Sequence, residues 1–270
     1  MKRILEISAY TIISIPLLYI VWLCLRMLVF DYFTVPTSSM TPTIQPGNKV
    51  IVNKMIFGPR IYTDLHFDMQ GQELKSVRLK GFRDIRHNDI VVFNFPIHRN
   101  KISFKINHVY CKRVVGLPGD TVMAKKGHLY NNNFRGVLGC KEKQKQLESK
   151  TERILRHYNV YDVAPRDSVH FAWTIQDWGP LYVPRRGDVI NVTPREAVLY
   201  HRILEWETGA EVTYDWDTGK VYANGTPMLV HTFKHNYYHI CGDYSLDSFD
   251  SRYWGFVPEE YIVGVVEWII

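Results

Sequence analysis

Hydroxyl groups crowd one short segment of this 270-residue chain, Pro36-Thr37-Ser38-Ser39-Met40-Thr41-Pro42-Thr43. A second segment, Tyr110-Cys111-Lys112-Arg113-Val114-Val115-Gly116-Leu117-Pro118-Gly119-Asp120, holds a lysine hemmed by apolar residues. A hydroxyl is a weak nucleophile until a base takes its proton. Lysine is that base only when neutral, and its ordinary pKa of ~10.4 keeps it charged near neutrality. Burial in an apolar pocket disfavours the ammonium and lowers that value. Val109, Cys111, Val114 and Val115 frame Lys112 with suitable side chains. Alternation along a strand sends Lys112 and Arg113 to opposite faces, so one enters a cleft while the other stays charged and paired. The chemistry in prospect is attack of an oxygen nucleophile on a carbonyl. Residue types alone do not choose among Thr37, Ser38, Ser39, Thr41 and Thr43, and a lysine taken singly is usually a surface group.

A third segment, Gly242-Asp243-Tyr244-Ser245-Leu246-Asp247-Ser248-Phe249-Asp250-Ser251-Arg252, completes a set that resembles the bacterial type I signal peptidases. That family's Pro-Ser-x-Ser-Met-x-Pro-Thr pattern places its nucleophile on Ser39. Its Lys-Arg-x-x-Gly-x-Pro-Gly-Asp pattern is matched in full and places the general base on Lys112. The resemblance implies an oxyanion hole made of the Ser39 N–H and the hydroxyl of Thr37, where the usual residue is Ser. It puts a lysine-orienting serine on Ser248 and structural ion-pair groups on Asp250 and Arg252, with Arg113 as partner. Pro36 and Met40 are expected to contact substrate. Two departures stand out: Tyr244-Ser245 replaces the usual Asn-Arg, and His87-Asn88-Asp89 replaces an Arg-Gly-Asp turn. Asn tolerates a left-handed backbone, so that turn can survive.

By the same resemblance, the expected activity is a membrane-anchored serine endopeptidase that removes signal peptides from exported preproteins, with small residues at −1 and −3. No cofactor is implied. The alternatives are a maturation peptidase dedicated to one secretion or conjugation system, or a non-catalytic β module that binds signal sequences. The presence of Ser39, Lys112 and Ser248 together opposes the last. His108 shares a strand face with Lys112, but four residues of strand separate them by about 13 Å, so both cannot serve one hydroxyl. No group of His, Asp or Glu has metal-ligand spacing, and no metal is expected.

The elements that must position these groups are mainly β. The expected fold is antiparallel sheets in a signal-peptidase-like catalytic domain, 30–130 and 231–270, interrupted by a β-rich and helical insertion, 131–230. A transmembrane helix at 7–29 and a cytoplasmic tail at 1–6 precede it. Residues 7–25 carry no charge, close to the ~20 that span a bilayer as a helix. Pro16 within them is tolerated in a spanning helix. No small-x-small pair follows, which favours an uncleaved anchor over a removed signal. Lys2 and Arg3 favour a cytoplasmic N-terminus, with the catalytic domain outside the inner membrane and Tyr32 and Phe33 at the far interface. Fourteen residues from Leu25 to Ser39 span roughly 50 Å at most, which keeps the site near the bilayer. Phe33, Phe95 and Trp254 are candidates to dip into lipid.

The net charge of +6 comes with interspersed acids. It fits a surface near anionic lipid better than a nucleic-acid site, and a monomer is expected. Cys24, Cys111, Cys140 and Cys241 form no CxxC pair; Cys111 and Cys241 read as small buried hydrophobes. Strands are expected at 49–54, 89–95, 108–115 and 261–270. Asn224-Gly225 signals a hairpin. Residues 141–156 read as one solvated helix, and 171–203 and 211–222 as strand-like.

Overall fold

The computed structural model describes residues 2–63, 76–106 and 108–270. Its centre is a seven-stranded sheet. In spatial order the strands are Phe30–Thr34, Lys49–Asn53, Ile262–Ile269, Ile90–Asn94, Val109–Gly116, Tyr237–Cys241 and Val257–Pro258. Every neighbouring pair is antiparallel. The β-branched runs expected at 49–54, 89–95, 108–115 and 261–270 all fall in this sheet. The C-terminal strand lies between strands from the first hundred residues, so the sheet closes only when the end of the chain arrives.

Two apolar clusters hold the sheet. The larger includes Val91, Phe93, Val114, Tyr237 and Ile240. The smaller gathers Val35, Met40, Ile44, Val50, Val52 and Val92. It packs the 35–48 loop onto the sheet, which matters because that loop carries the hydroxyl-rich segment. Asn88 takes φ 69°, the left-handed conformation that the His87-Asn88-Asp89 turn needs.

Within 131–230 the secondary structure departs from the expectation in two places. Residues 141–156 form two helices, Lys141–Glu148 and Glu152–His157, divided at Ser149 to Thr151. Thr151 is extended there (φ −78°, ψ 157°), as Thr readily is when it precedes a helix. The strand-like reading of 171–203 holds for Trp178–Tyr182 and Val189–Asn191 but fails beyond them. Pro194–Leu199 and His201–Thr208 are helices. The start signal was present: Pro194 takes the first helical turn, where its fixed φ suits a helix. Thr193 Oγ1 also donates to Glu196. The Asn224-Gly225 turn does join two paired strands, Lys220–Ala223 and Thr226–Pro227.

Lys2–Leu28 is a helix containing Pro16. Among the described residues no helix is long and apolar enough to cross a membrane; the side chains of 2–11 and 13, part of the expected anchor, lie outside the described ones. Two of the three candidate lipid contacts are overturned. Phe95 and Trp254 are buried at 8% and 3% exposure, because their rings pack against each other in the core. Tyr32, Trp268 and Ile270 are exposed instead.

Candidate active site

Val109–Gly116 pairs with Ile90–Asn94 on one side, Val91 opposite Lys112, and with Tyr237–Cys241 on the other, Cys241 opposite Arg113. Strand alternation then divides two adjacent cations. Lys112 turns inward at 3% exposure, and Arg113 turns to the opposite face.

Lys112 Nζ lies 2.6 Å from Ser39 Oγ and 3.1 Å from the Cys111 carbonyl oxygen. Ser39 is itself 4% exposed. Burial pushes the Lys112 pKa down, opposed by the more distant charge of Asp250. No carboxylate touches this amine among the described residues, so nothing nearby holds its proton strongly. In the neutral form the geometry reverses: the Ser39 hydroxyl donates to the amine lone pair.

Thr37 Oγ1 lies 3.3 Å from Ser39 Oγ, and Thr37 is exposed. The Ser39 backbone N–H has no hydrogen-bond partner among the described residues. A free N–H and a nearby hydroxyl beside the nucleophile are the donors that an oxyanion requires.

The 242–252 loop grips the segment that carries Ser39. Tyr244 N donates to Ser39 O at 3.0 Å, and Ser38 Oγ donates to Asp247. Gly242 is obligatory: a Cβ there would stand 2.6 Å from Ser39 O. The departure at Tyr244-Ser245 is absorbed locally. Lys143 of the Lys141–Glu148 helix sits 4.0 Å above the Tyr244 ring, and Ser245 Oγ accepts from Arg252 at 2.7 Å.

Some expectations are corrected here. Ser248 makes no hydrogen bond to Lys112; its hydroxyl donates to Asp250 Oδ2 at 2.6 Å. Asp250 is fully buried and accepts also from Gly242 N and from the Arg252 guanidinium at 2.8 and 2.5 Å. Burial alone would raise the Asp250 carboxyl, but the charge and hydrogen bonds of Arg252 bring it below the usual range. Arg113 is not their partner. It forms a fork with Asp243, Nε and Nη2 each 2.7 Å from one carboxylate oxygen. Asp250 is already engaged by Gly242 N, Ser248 and Arg252, all within its own loop. Asp243 was the residue missed, although it follows Gly242 in the segment already singled out.

Met40, expected at the substrate, has 0% exposure and packs in the smaller cluster, next in sequence to Ser39. Its side chain offers no surface to a ligand and fixes the loop instead. Pro36 is exposed beside it. His108 packs edge-on against Phe95 and Tyr110 and at a tilt against His98. Among the described residues no cluster of three His, Cys, Asp or Glu could hold a metal. The four cysteines are unpaired.

Residues 7–270 match the family described as signal peptidase, peptidase S26. The chain belongs to this family. Among its relatives, signal peptidase I of Buchnera aphidicola from Schizaphis graminum is 28% identical over 92% of this chain and 70% of its own length. Signal peptidase I of Pseudomonas fluorescens is 36% identical over 92% of this chain and 67% of its own length. A crystal structure of a signal peptidase I from Enterococcus faecalis is similar at 18% identity, over 68% of this chain and 97% of that one, with a TM-score of 0.33. At that score the superposition carries no argument; the S26 match rests on sequence.

Proposed function

We propose that this chain is a membrane-anchored serine endopeptidase that removes signal peptides from exported preproteins, with Ser39 as nucleophile and Lys112 as general base. The observation that carries the reading is the 2.6 Å contact between two buried groups, a hydroxyl and an amine whose pKa is lowered by burial. The name shared by the curated relatives, signal peptidase I, supports the substrate class.

Neutral Lys112 takes the Ser39 proton as Oγ bonds to the scissile carbonyl carbon. The Ser39 N–H and Thr37 hydroxyl hold the resulting oxyanion. As the C–N bond breaks, Lys112 gives its proton to the departing amine, which leaves as the new N-terminus. Lys112, neutral again, then takes a proton from the water that hydrolyses the Ser39 ester. Ser248 and Asp250 are positioning residues: through Gly242 N and Arg252 they hold the loop that contacts Ser39 O.

The anchor rests on the uncharged stretch 7–25. In this reading 7–29 spans the inner membrane, with 1–6 in the cytoplasm and the β domain outside. Incubating a labelled preprotein with the purified full chain in detergent tests the activity. Wild type should release the signal peptide and Ser39→Ala should not. Equal processing by both would reject Ser39 as nucleophile.

A further inference from the structure

A cavity of about 610 Å³ opens where the N-terminal helix meets the main sheet. Its lining joins two chemistries. Ile20, Leu23 and Val109 are apolar, whereas Arg26, Lys54 and Arg60 are cationic, and Asp31 is the one carboxylate among the lining residues. Asp31 is shared by Arg26 at 2.8 Å and Lys54 at 3.1 Å. Lys54 also donates to the Arg26 carbonyl at 2.7 Å, which staples the helix C-terminus to the end of Lys49–Asn53.

Arg60 is different. It is 7% exposed, and among the described residues its guanidinium donates to the Glu260 carbonyl and to Asn94 Oδ1, both neutral oxygens. Burial pushes its pKa down, and the opposing charges of Tyr62 and Glu260 do not make up for the lost solvation. With three cations and one anion, the lining of the cavity carries an excess of positive charge.

Position adds to charge. Arg26 lies against the rings of Trp22 and Tyr32, 5.2 and 5.1 Å from their centroids, an arrangement suited to the headgroup level of a bilayer. Ile20 is six residues before Arg26, or about 9 Å deeper along the helix at ~1.5 Å per residue. The cavity thus reaches from headgroup level into hydrocarbon.

We propose that this cavity binds one anionic phospholipid, its phosphate beside Arg26 and Arg60 and its first acyl carbons along Ile20 and Leu23. This rests on the reading that 7–29 spans the membrane. The bound lipid would fix the height and tilt of the catalytic domain, and with them the distance from Ser39 to the bilayer.

Native mass spectrometry of the delipidated full chain in detergent, titrated with phosphatidylglycerol or phosphatidylcholine, tests the proposal. One phosphatidylglycerol should bind per chain in preference to phosphatidylcholine. Arg60→Gln should weaken it about fivefold, the weight of one cation near an anionic surface. Leu23→Trp, which fills the apolar end and lies outside the β domain's core, should weaken it while leaving unfolding of the β domain unchanged. Equal binding of the two lipids, or unaltered binding in both variants, would overturn the site. So would inorganic phosphate alone competing as well as the lipid, or a synthetic signal peptide displacing it one for one. Alkaline carbonate extraction of membranes carrying the full chain separates the two readings. Release of the chain rejects the span and the lipid site together, whereas a retained chain with no lipid preference rejects only the site.

Discussion

Lys112 and Arg113 are neighbours on one strand, and the protein treats their charges in opposite ways. Lys112 is 3% exposed and, among the described residues, hydrogen-bonds a hydroxyl and a carbonyl oxygen, so burial drives it toward the neutral amine. The Arg113 side chain keeps 14% exposure and is clasped by Asp243. Burial alone would lower its pKa, but the hydrogen bonds and charge of Asp243 raise it. One side of the strand is built to remove a charge, the other to keep one. The difference lies in the partner supplied: oxygen atoms that carry no formal charge for Lys112, a carboxylate fork for Arg113. In the proposed mechanism, a base that must be neutral and an anchor that must be ionic are separated by one peptide unit and a change of face.

The strongest way to break this comparison is to make the two sides alike. Lys112→Arg keeps a cation that cannot deprotonate, and activity on a labelled preprotein should fall by roughly 10⁴-fold or more. Substantial turnover by this variant would mean that loss of charge at position 112 is not required. Asp243→Asn removes the counterion from the other side. Unfolding in denaturant should show a loss of roughly 3 kcal/mol, toward the low end for breaking a buried pair because Arg113 retains some contact with water. Wild-type stability in this variant would make the fork ornamental.

Linkage sharpens the contrast. The folded pKa of Lys112 lies below its usual value near 10.5. Between those two values the unfolded chain binds more protons, so the contribution of Lys112 to stability rises with pH across that window and is lost below it. Lys112→Met should therefore be inactive but more stable than wild type near neutrality, with the gap narrowing as pH climbs toward 10.5. A constant gap in thermal unfolding across that range would argue that the folded lysine is not depressed. Wild-type kcat/KM should rise with pH through the folded pKa of Lys112, as the amine loses its proton, and level off before pH reaches 10.5. The smallest effect belongs to Arg113→Lys, which keeps the charge and loses the fork. It should cost about 1.5 kcal/mol, the weight of one charged hydrogen bond, and leave the pH profile of cleavage in place.

Much of the fold was legible because its signals are local. Alternating β-branched runs located four strands of the main sheet, and the Asn at 88 announced a left-handed turn that the backbone adopts. The helices at Pro194–Leu199 and His201–Thr208 were missed, since Val189–Asn191 just before them is a strand and apolar residues resume at Ala197-Val198-Leu199 after the short Thr193-Pro194-Arg195-Glu196 break. Met40 was misplaced for another reason. An apolar residue beside a nucleophile suits a substrate pocket and a core equally, and only the packing of the 35–48 loop against Val50, Val52 and Val92 decides between them.

By itself, the order of residues determined which groups carry the chemistry: a hydroxyl-rich segment, a lysine in apolar company and an acidic loop. It also determined that Lys112 and Arg113 face apart, because alternation is a property of the strand alone. Only tertiary structure decided that Ser39, 73 residues away, meets Lys112, that Asp243 rather than Asp250 clasps Arg113, and that Ser248 turns to Asp250. Those outcomes depend on the register between strands distant in sequence and on a glycine that lets two loops touch. Pairings of that kind are set by how the whole chain packs, which no local pattern encodes.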